Sequence, residues 1–478
     1  MSETLSYDFK DVSYDEWEAK ILKDLKGKDL SAISTQTLDG IPVQPHFNRE
    51  KTTDNKGVPG KPPYARGAKI DSNDWFISEI IEGSDQKKLN GAALKALLNG
   101  SDALQIKTQF ESLDELLNDI QLPYISVSFE NEQSLSKNIN ALESFVKQHK
   151  FTKNEIKGCY GSDPIGKAIL KGQNIDYENV FELIAKHHEN LPRYRFLNIN
   201  AQHYHNAGAS QAQELAYALA HGHEYLVKAL EAGIPIDEIT ARLQYTLAAG
   251  TEYFTEIAKF KAFRTLWSKI VAEYKPEHNC SHSTYVVGQT SAWQTTIADE
   301  YNNMLRATIQ SMAAANGGAD EITVLPFNYA YENPTPFSRR IARNVNLILQ
   351  EESHFDKILD AAGGSYYIDY LTDQLAQKAW TIFRDIEALG GFEEALKKNF
   401  VQNQIEQMAE KQHQQFNDGN RVLVGVNKFA KEDEDLTEKI KKEARGQSQT
   451  EPTDFMPITP SRLAAEFELK KAEEKSNA

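Results

Sequence analysis

"YRFLNINAQHYHNAGASQAQELAYALAHGHEYLVKALEAG", residues 194–233, carries two structural periods back to back. Tyr194–Asn200 is a short, mostly apolar run of strand character. From Ser210 onward the spacing is helical. Ser210 and Gln213 stand as a capping box, Leu215, Leu219, Leu226 and Leu230 form one stripe, and Gly233 is the stop. The same order recurs along the chain. "YISVSFE" (124–130) precedes the helical "SLSKNINALESFVKQH". "STYVVG" (283–288) precedes a helix expected around 299–315, and "EITVLP" (321–326) one around 337–353. Strand–helix alternation predicts a parallel sheet with helical crossovers. It runs from about residue 75 to residue 390, and a typical barrel needs roughly 250 residues. No strand is followed by G-x-G-x-x-G. The expected fold is therefore α/β, a TIM (β/α)8 barrel, with its chemistry at the carboxyl ends of the strands. "AQHYH", "GQTSAW" and the residues after "EITVLP" all fall there.

The flanks read differently. Residues 1–47 are expected to form an N-terminal arm and 48–63 a linker. The barrel spans 64–390, and 391–478 is a mostly helical extension ending in a linker-like tail. In the arm, "YDEWEAKILKDLKG" places Trp17, Ile21, Leu22 and Leu25 at helical spacing, with Gly27 to end the helix. Such a helix either docks on its own domain or packs on another chain. In the extension, "EEALKKNFVQNQIEQMAEKQHQQF" is polar helix and "RVLVGVNKF" (421–429) is strand-like. Residues 430–454 are charged and poorly patterned, and "SRLAAEFELKKAEEK" is a last helix.

The chain has 478 residues, of which 40% are hydrophobic and 26% charged, and a net charge of −16. That balance disfavours nucleic acids and anionic membranes as partners. No apolar run is long enough for a membrane helix, and the acidic start lacks the apolar segment of a signal peptide. Two cysteines, Cys159 and Cys280, fit a reducing, cytoplasmic setting.

His203 and His205, two residues apart after a strand, are the first candidates for chemistry. On a strand end both would point to one side, as the metal pair of a hydrolase barrel does. A hydrolytic centre needs further ligands at later strand ends. His221 and His223 fall within a helix, His278 and His282 precede their strand, and His354 lies past a helix. No metal is therefore expected, and both histidines read better as satisfied by neighbouring carbonyls. There is no P-loop, G-x-S-x-G, H-E-x-x-H or C-x-x-C. Gly363-Gly364 is explained by a tight turn.

Several long segments carry a resemblance. "YNNMLRATIQSMAAANGGADEITVLPFNYA", "FSRRIARNVNLILQEESHFDKILDAAGGSYYIDYLT", "YHNAGASQAQELAYALAHGHEYL" and "GQTSAW" resemble the adenosylcobalamin-dependent acyl-CoA mutases, specifically the methylmalonyl-CoA mutase family. The likeness runs from "LDGIPVQPHF" to "RVLVGVNKF", residues 38–429. It implies a barrel that binds the CoA chain along its axis, followed in catalytic subunits by a cobalamin-binding domain. The reaction implied interconverts succinyl-CoA and (R)-methylmalonyl-CoA by radical chemistry that belongs to the cofactor.

Two departures from that pattern matter. The cobalamin signature Asp-x-His-x-x-Gly occurs nowhere in these residues, so no cofactor is expected on this chain. The substrate pocket that the resemblance implies is also largely replaced. Where catalytic subunits carry tyrosine and arginine before the matching Trp75, this chain has Ile70 and Asn73. An arginine–glutamine pair after it becomes Ser78 and Glu79. Threonine and glutamine after an early strand become Cys159 and Gly161. An arginine gripping the thioester side falls near Lys171. A tyrosine–histidine pair becomes Gln202–His203. In the "GQTSAW" segment an arginine becomes Tyr285 and a histidine Val287, while Gln289 persists. A further histidine falls at Thr323. The remnant pocket is thus His203, Gln289 and Lys171, and no catalytic residue is expected. The losses remove donors aimed at a carbonyl and positive charge aimed at phosphates. The pattern resembles the non-catalytic small subunit that some mutases pair with a large, cobalamin-carrying one, with the arm helix as the candidate clasp. The alternative is the catalytic barrel of a split mutase whose cobalamin domain is on another chain.

Overall fold

The strand runs close into a ring. In the computed structural model, residues 12–51, 57–177, 179–431, 433–443 and 452–476 are described. Eight parallel strands form the barrel: β1 (Phe76–Ile81), β2 (Ala103–Ile106), β3 (Ser126–Phe129), β4 (Lys157–Ser162), β5 (Tyr194–Asn200), β6 (Leu243–Ala249), β7 (Tyr285–Thr290) and β8 (Glu321–Thr323). They pair in chain order, and β8 returns to β1. This confirms the expected TIM barrel. The helices of eight residues or more are α1 (Tyr14–Asp24), α2 (Gln86–Leu98), α3 (Leu135–Gln148), α4 (Pro164–Lys171), α5 (Val180–His187), α6 (Gln211–Glu231), α7 (Tyr253–Glu273), α8 (Asn302–Asn316), α9 (Pro336–Leu347), α10 (Tyr366–Ala388), α11 (Phe400–Asn417) and α12 (Ala465–Ser476).

Each crossover helix starts where the local chemistry dictates. Ser210 caps α6 through the Gln213 amide, and Gln213 returns the bond to the Ser210 amide, completing the capping box. Thr335 does the same for α9 with Ser338, next to Pro336. The main core lies between the outward faces of the strands and these helices. Tyr245 on β6, for example, packs its ring 4.7 Å from Phe263 and 5.1 Å from Trp267 on α7. Burying side chains of that size contributes about 1.5–3 kcal/mol each. α10 covers the outer sides of α6 and α7.

The arm folds into a short antiparallel ladder of its own, Thr35–Gln36 against Pro42–Val43, and docks on the barrel through the turn and the edge of that ladder. Between these strands the Asp39 carboxylate accepts the Ser210 hydroxyl and the Ala212 amide at the start of α6. Ile41 is fully buried, and the Tyr370 hydroxyl on α10 donates to the Pro42 carbonyl, 2.9 Å. α1 forms as expected, with Ser13 and Glu16 as a capping box. Only Tyr14 is buried on it; Trp17 rests 4.8 Å from the His46 ring, while Leu22 is exposed and Ile21 and Leu25 are half-buried.

Two expectations are corrected. "RVLVGVNKF" is not a strand. Asn427 donates to the Phe416 and Arg421 carbonyls and accepts the Leu423 amide, and Gly425 takes φ +85°. The segment is therefore a side-chain-bonded loop with one bridge, Val424 to Lys428. The His203–His205 pair is not on a strand end. β5 stops at Asn200, and Gln202–His205 makes one helical turn. Of the charged stretch 430–454, residues 432 and 444–451 lie outside the described residues, and Thr437–Glu443 is helical.

Past α11 the chain crosses the carboxyl-terminal face of the barrel. The amides of Thr453 and Asp454 donate to the Gly172 carbonyl, Ile458 to Ile169, Ser461 to Asn206 and Leu463 to Trp293. α12 then anchors, because buried Glu468 accepts the Ile297 and Ala298 amides and pairs with Arg462 at 2.6 Å.

Candidate functional site

Side chains alternate along a strand, so every second residue of each strand faces the barrel axis. Bonds that skip a strand identify those residues. Gln105 on β2 donates from Nε2 to Thr323 on β8, 2.8 Å, and to Glu321 on β8, 3.4 Å, past the intervening β1. The Arg195 guanidinium on β5 lies 3.6 Å over the Tyr285 ring on β7, past β6, and its Nε donates to Gln244 on β6, 2.9 Å. The Tyr285 hydroxyl donates to Glu321, 3.2 Å. Gln105, Gln244, Glu321 and Thr323 are buried. Burial raises the Glu321 carboxyl above its usual range. These six side chains, from five strands, form a bonded layer across the axis near the amino-terminal end.

Nearer the carboxyl-terminal end a second set is bonded. Thr246 donates to Asn198, 2.9 Å, Asn198 to Glu130, 3.1 Å, and Glu130 pairs with Lys107 at 3.0 Å. Gln289 donates to Gln202, 2.7 Å. The Ser126 and Ser128 hydroxyls on β3 have no protein partner. At the amino-terminal opening, a cavity of about 380 Å³ is lined by Asp71, Asp74, Asp102 and Asp320 along with Lys69 and Tyr285. Burial raises Asp102 to about 6 and lowers Lys69 to about 8. Four carboxylates against one lysine make this opening unfavourable for a phosphorylated chain.

At the carboxyl-terminal mouth, cavities of about 1340 and 590 Å³ meet at Lys107, Leu170, Asn200 and His203. His203 is the one imidazole lining either. Burial lowers its pKa to about 4, against the pull of Asp163 beside it, so it is neutral near pH 7. Asp163 accepts His221 Nε2 at 2.9 Å, the Tyr225 hydroxyl at 2.8 Å and the Gly166 amide at 2.9 Å. Burial opposes its charge, but the His221 imidazole holds its pKa below the usual value.

The positions singled out in the sequence scatter. His203 and Gln289 do line the 590 Å³ cavity, and Lys171 lines the larger one from the exposed end of α4. Ser78 and Glu79 do not form a pair. Ser78 faces the axis beside Glu321, whereas Glu79 faces outward to Arg343 at 2.7 Å. Asn73 is structural, donating to the Ala315 and Phe355 carbonyls, and Ile70 is exposed. Trp75 is buried and donates to Asn346, 3.2 Å. Val287 lies beside Glu321 in register. Burial raises the Cys159 thiol to about 12. His205 points away from His203. It is buried, with Nε2 2.7 Å from Ser291 Oγ and Nδ1 3.4 Å from Glu214, so side chains and not the expected carbonyls satisfy it. His223 meets Glu387 and Tyr274, and His282 meets the Ser268 carbonyl. Among the described residues no group of three or more His, Cys, Asp or Glu could hold a metal ion. The axial layer went unread in the sequence. Its signal was the polar residues alternating within strand runs, such as Asn198 and Asn200 in "YRFLNIN" and Gln244 and Thr246 in "LQYTL".

His203 gives a pH prediction. The unfolded imidazole takes up its proton near 6.5, the folded one only near 4. As pH falls through that window, the unfolded chain binds a proton that the folded chain refuses, so stability falls. His203→Asn removes this contribution. The urea midpoint of the variant should fall less between about pH 7 and about pH 5 than that of the wild type. An equal fall in both would show that His203 titrates normally.

The methylmalonyl-CoA mutase family model matches residues 107–462. The methylmalonyl-CoA mutase small subunit of Porphyromonas gingivalis is 35% identical over 489 residues, covering 99% of this chain and 79% of that protein. The small subunit of Streptomyces virginiae is 31% identical, covering 89% of this chain and 72% of its own length. The mitochondrial methylmalonyl-CoA mutase of Homo sapiens is 30% identical over 88% of this chain, and the chain spans 61% of that protein's length.

Proposed function

The chain belongs to the methylmalonyl-CoA mutase family, and from that premise we propose that it is the non-catalytic small subunit of an adenosylcobalamin-dependent mutase. It works beside a large subunit that isomerises succinyl-CoA and (R)-methylmalonyl-CoA. The observation that carries this reading is the bonded layer of Gln105, Arg195, Gln244, Tyr285, Glu321 and Thr323. A CoA chain running along the axis would have to break that layer and leave buried Glu321 and half-buried Arg195 without partners. The acidic amino-terminal opening adds a like-charge barrier to its phosphates. At the mouth, Gln289 donates to Gln202 Oε1, which leaves the unpartnered Gln202 Nε2 and neutral His203 as the donors for a thioester carbonyl. Stabilising charge on that carbonyl takes several preorganised donors.

The residues at the mouth do not fit a cobalamin either. Residues 453–463 cross this face on backbone bonds, and Ser461, Arg462, Ala465 and Leu469 wall the smaller cavity. In this reading the large subunit holds the cofactor. The half-exposed stripe of α1 supports its role as a clasp on that partner. A cytoplasmic setting belongs to this reading and is supported by free Cys159 and Cys280, which suit a reducing compartment. Among the described residues no helix is long and apolar enough to cross a membrane.

The test is reconstitution. The purified chain, given adenosylcobalamin and methylmalonyl-CoA, should show no turnover. Mixed with the large subunit, the His203→Asn chain should support a rate within about twofold of wild type, roughly 0.4 kcal/mol of barrier. The same change at the matching histidine of the large subunit should cost on the order of 10² or more. A hundredfold loss from His203→Asn in this chain, with the complex intact by gel filtration, would sink the non-catalytic reading.

A further inference from the structure

The solvent face of α8 stands apart from every other barrel helix. Its exposed positions are Leu305 and Ile309, preceded one turn earlier by Tyr301, with Met304, Thr308 and Met312 half-buried beside them. Leu305 is 66% exposed. Arg306 is the one ionisable residue of the helix, and it is turned aside. Its guanidinium donates to Thr296, to Asn303 and to the Val424 carbonyl at 2.7–2.9 Å. By contrast α2 carries Lys87, Lys88 and Lys95, α3 carries Lys137, Glu143 and Lys147, and α9 carries Arg339, Arg340 and Arg343. An uncharged outer face is unexpected on a chain of net charge −16. The patch continues sideways. Tyr301 packs 5.2 Å from Phe327, which packs 6.1 Å from exposed Phe337 at the start of α9. Val422 and Val424 are exposed beside the start of α8, where Asn302 and Arg306 hold the Val424 carbonyl. α10 lies over α6 and α7, but no described element covers this row.

We infer that the Tyr301–Leu305–Ile309 face, with Phe337, is the docking surface for the larger mutase chain. That partner presents an uncharged, apolar helix face of its own. The inference rests on the small-subunit reading above and adds where the two chains meet. Two observations select this occupant. The matched relatives named small subunits cover nearly the whole of this chain, and a small subunit requires a second, larger one. A second copy of this chain would bring a further −16 to the contact. The area also suits a partner chain. The exposed side chains of the patch offer roughly 400 Å², about half of the ~800 Å² that each side of a stable interface contributes. This patch would be its apolar centre, with polar surface as the rim.

The experiment uses the full chain and the large subunit. Leu305→Glu puts a carboxylate at the centre of the patch. At so exposed a position it should leave the circular dichroism and melting temperature of the isolated chain unchanged. Binding to the large subunit, measured by titration calorimetry, should weaken by about a hundredfold or more. Leu98→Glu, at an 85% exposed site on α2, should bind as the wild type does. Equal binding by Leu305→Glu and wild type would overturn the inference, and so would equal weakening by Leu98→Glu. Wild-type chain that ignores the large subunit but is a dimer made monomeric by Leu305→Glu would assign the face to a second copy. Wild-type chain that stays monomeric and ignores the large subunit would overturn both this inference and the small-subunit reading. Intact binding by Leu305→Glu, with mutase activity restored by the wild-type chain, would overturn the inference alone.

Discussion

Lys259→Met is expected to lower the stability of the protein by about 3–5 kcal/mol, out of a total of roughly 5–15 kcal/mol for a folded domain. Lys259 is fully buried on α7. Its ammonium sits 2.7 Å from Glu214 and 2.7 Å from Glu256, both fully buried, and donates to the Ala248 carbonyl at 2.7 Å. Glu214 also accepts the Ala248 amide, and Gln211 donates to Glu256. The cluster ties α6, α7 and the end of β6 together. Burial raises the pKa of Glu214, and Lys259 more than offsets it, so the carboxylate stays below its usual value. Without the ammonium, two carboxylates share a dry site and at least one must take up a proton. Methionine fills the volume, so the loss would come from charge and not from a cavity. Urea unfolding measures it, and a loss under about 1 kcal/mol would show that the carboxylates find other partners. Combining Lys259→Met with Glu214→Gln and Glu256→Gln should return much of the stability, because an uncharged cluster has no unpaired ion to bury.

Such clusters mark the boundary of what the sequence reveals. Local periods predicted the strand at Tyr194–Asn200 residue for residue, and the capping box at Ser210, because both are set by neighbours in the chain. They also placed the helices after β7 and β8 within a few residues. The same local logic failed where a long-range partner or a single side chain decides. "RVLVGVNKF" alternates like a strand, but Asn427 takes the bonds a neighbouring strand would have supplied. His203 and His205 would share a face on a strand. On the helical turn that follows β5 they lie about 200° apart, one toward the cavity and one into the core. Alternation itself was underused. Ser78 and Glu79 are adjacent in a strand, so they cannot both face the axis. The axial layer was invisible as a unit, since its members are scattered from residue 105 to residue 323 and only closure of the barrel brings them together.

The replacements that the family resemblance implies are not independent point changes, and Gly161 makes this testable. Gly161→Gln would restore the residue that the family resemblance places there, and it is expected to cost at least about 3 kcal/mol of stability. Gly161 has φ +62°, and a Cβ built on it would sit 1.5 Å from the Phe129 carbonyl oxygen. The left-handed backbone alone costs a non-glycine residue roughly 1–2 kcal/mol. The rest comes from pushing β4 off β3. This geometry belongs to a local irregularity, because the register of β4 against β5 shifts between Cys159 and Ser162. The Gly161 amide is bent back onto Cys159 Sγ, 3.2 Å. A barrel carrying glutamine here therefore needs a different β4 path, and restoring the side chain cannot restore the donor. Cys159→Thr is the companion variant. Its side chain faces the polar axis and changes little in volume, so it should cost under about 1.5 kcal/mol. Urea midpoints of the two variants measure the contrast. If Gly161→Gln folded with wild-type stability, β4 could relax to admit the side chain, and the proposed loss of catalysis would be a matter of side chains alone.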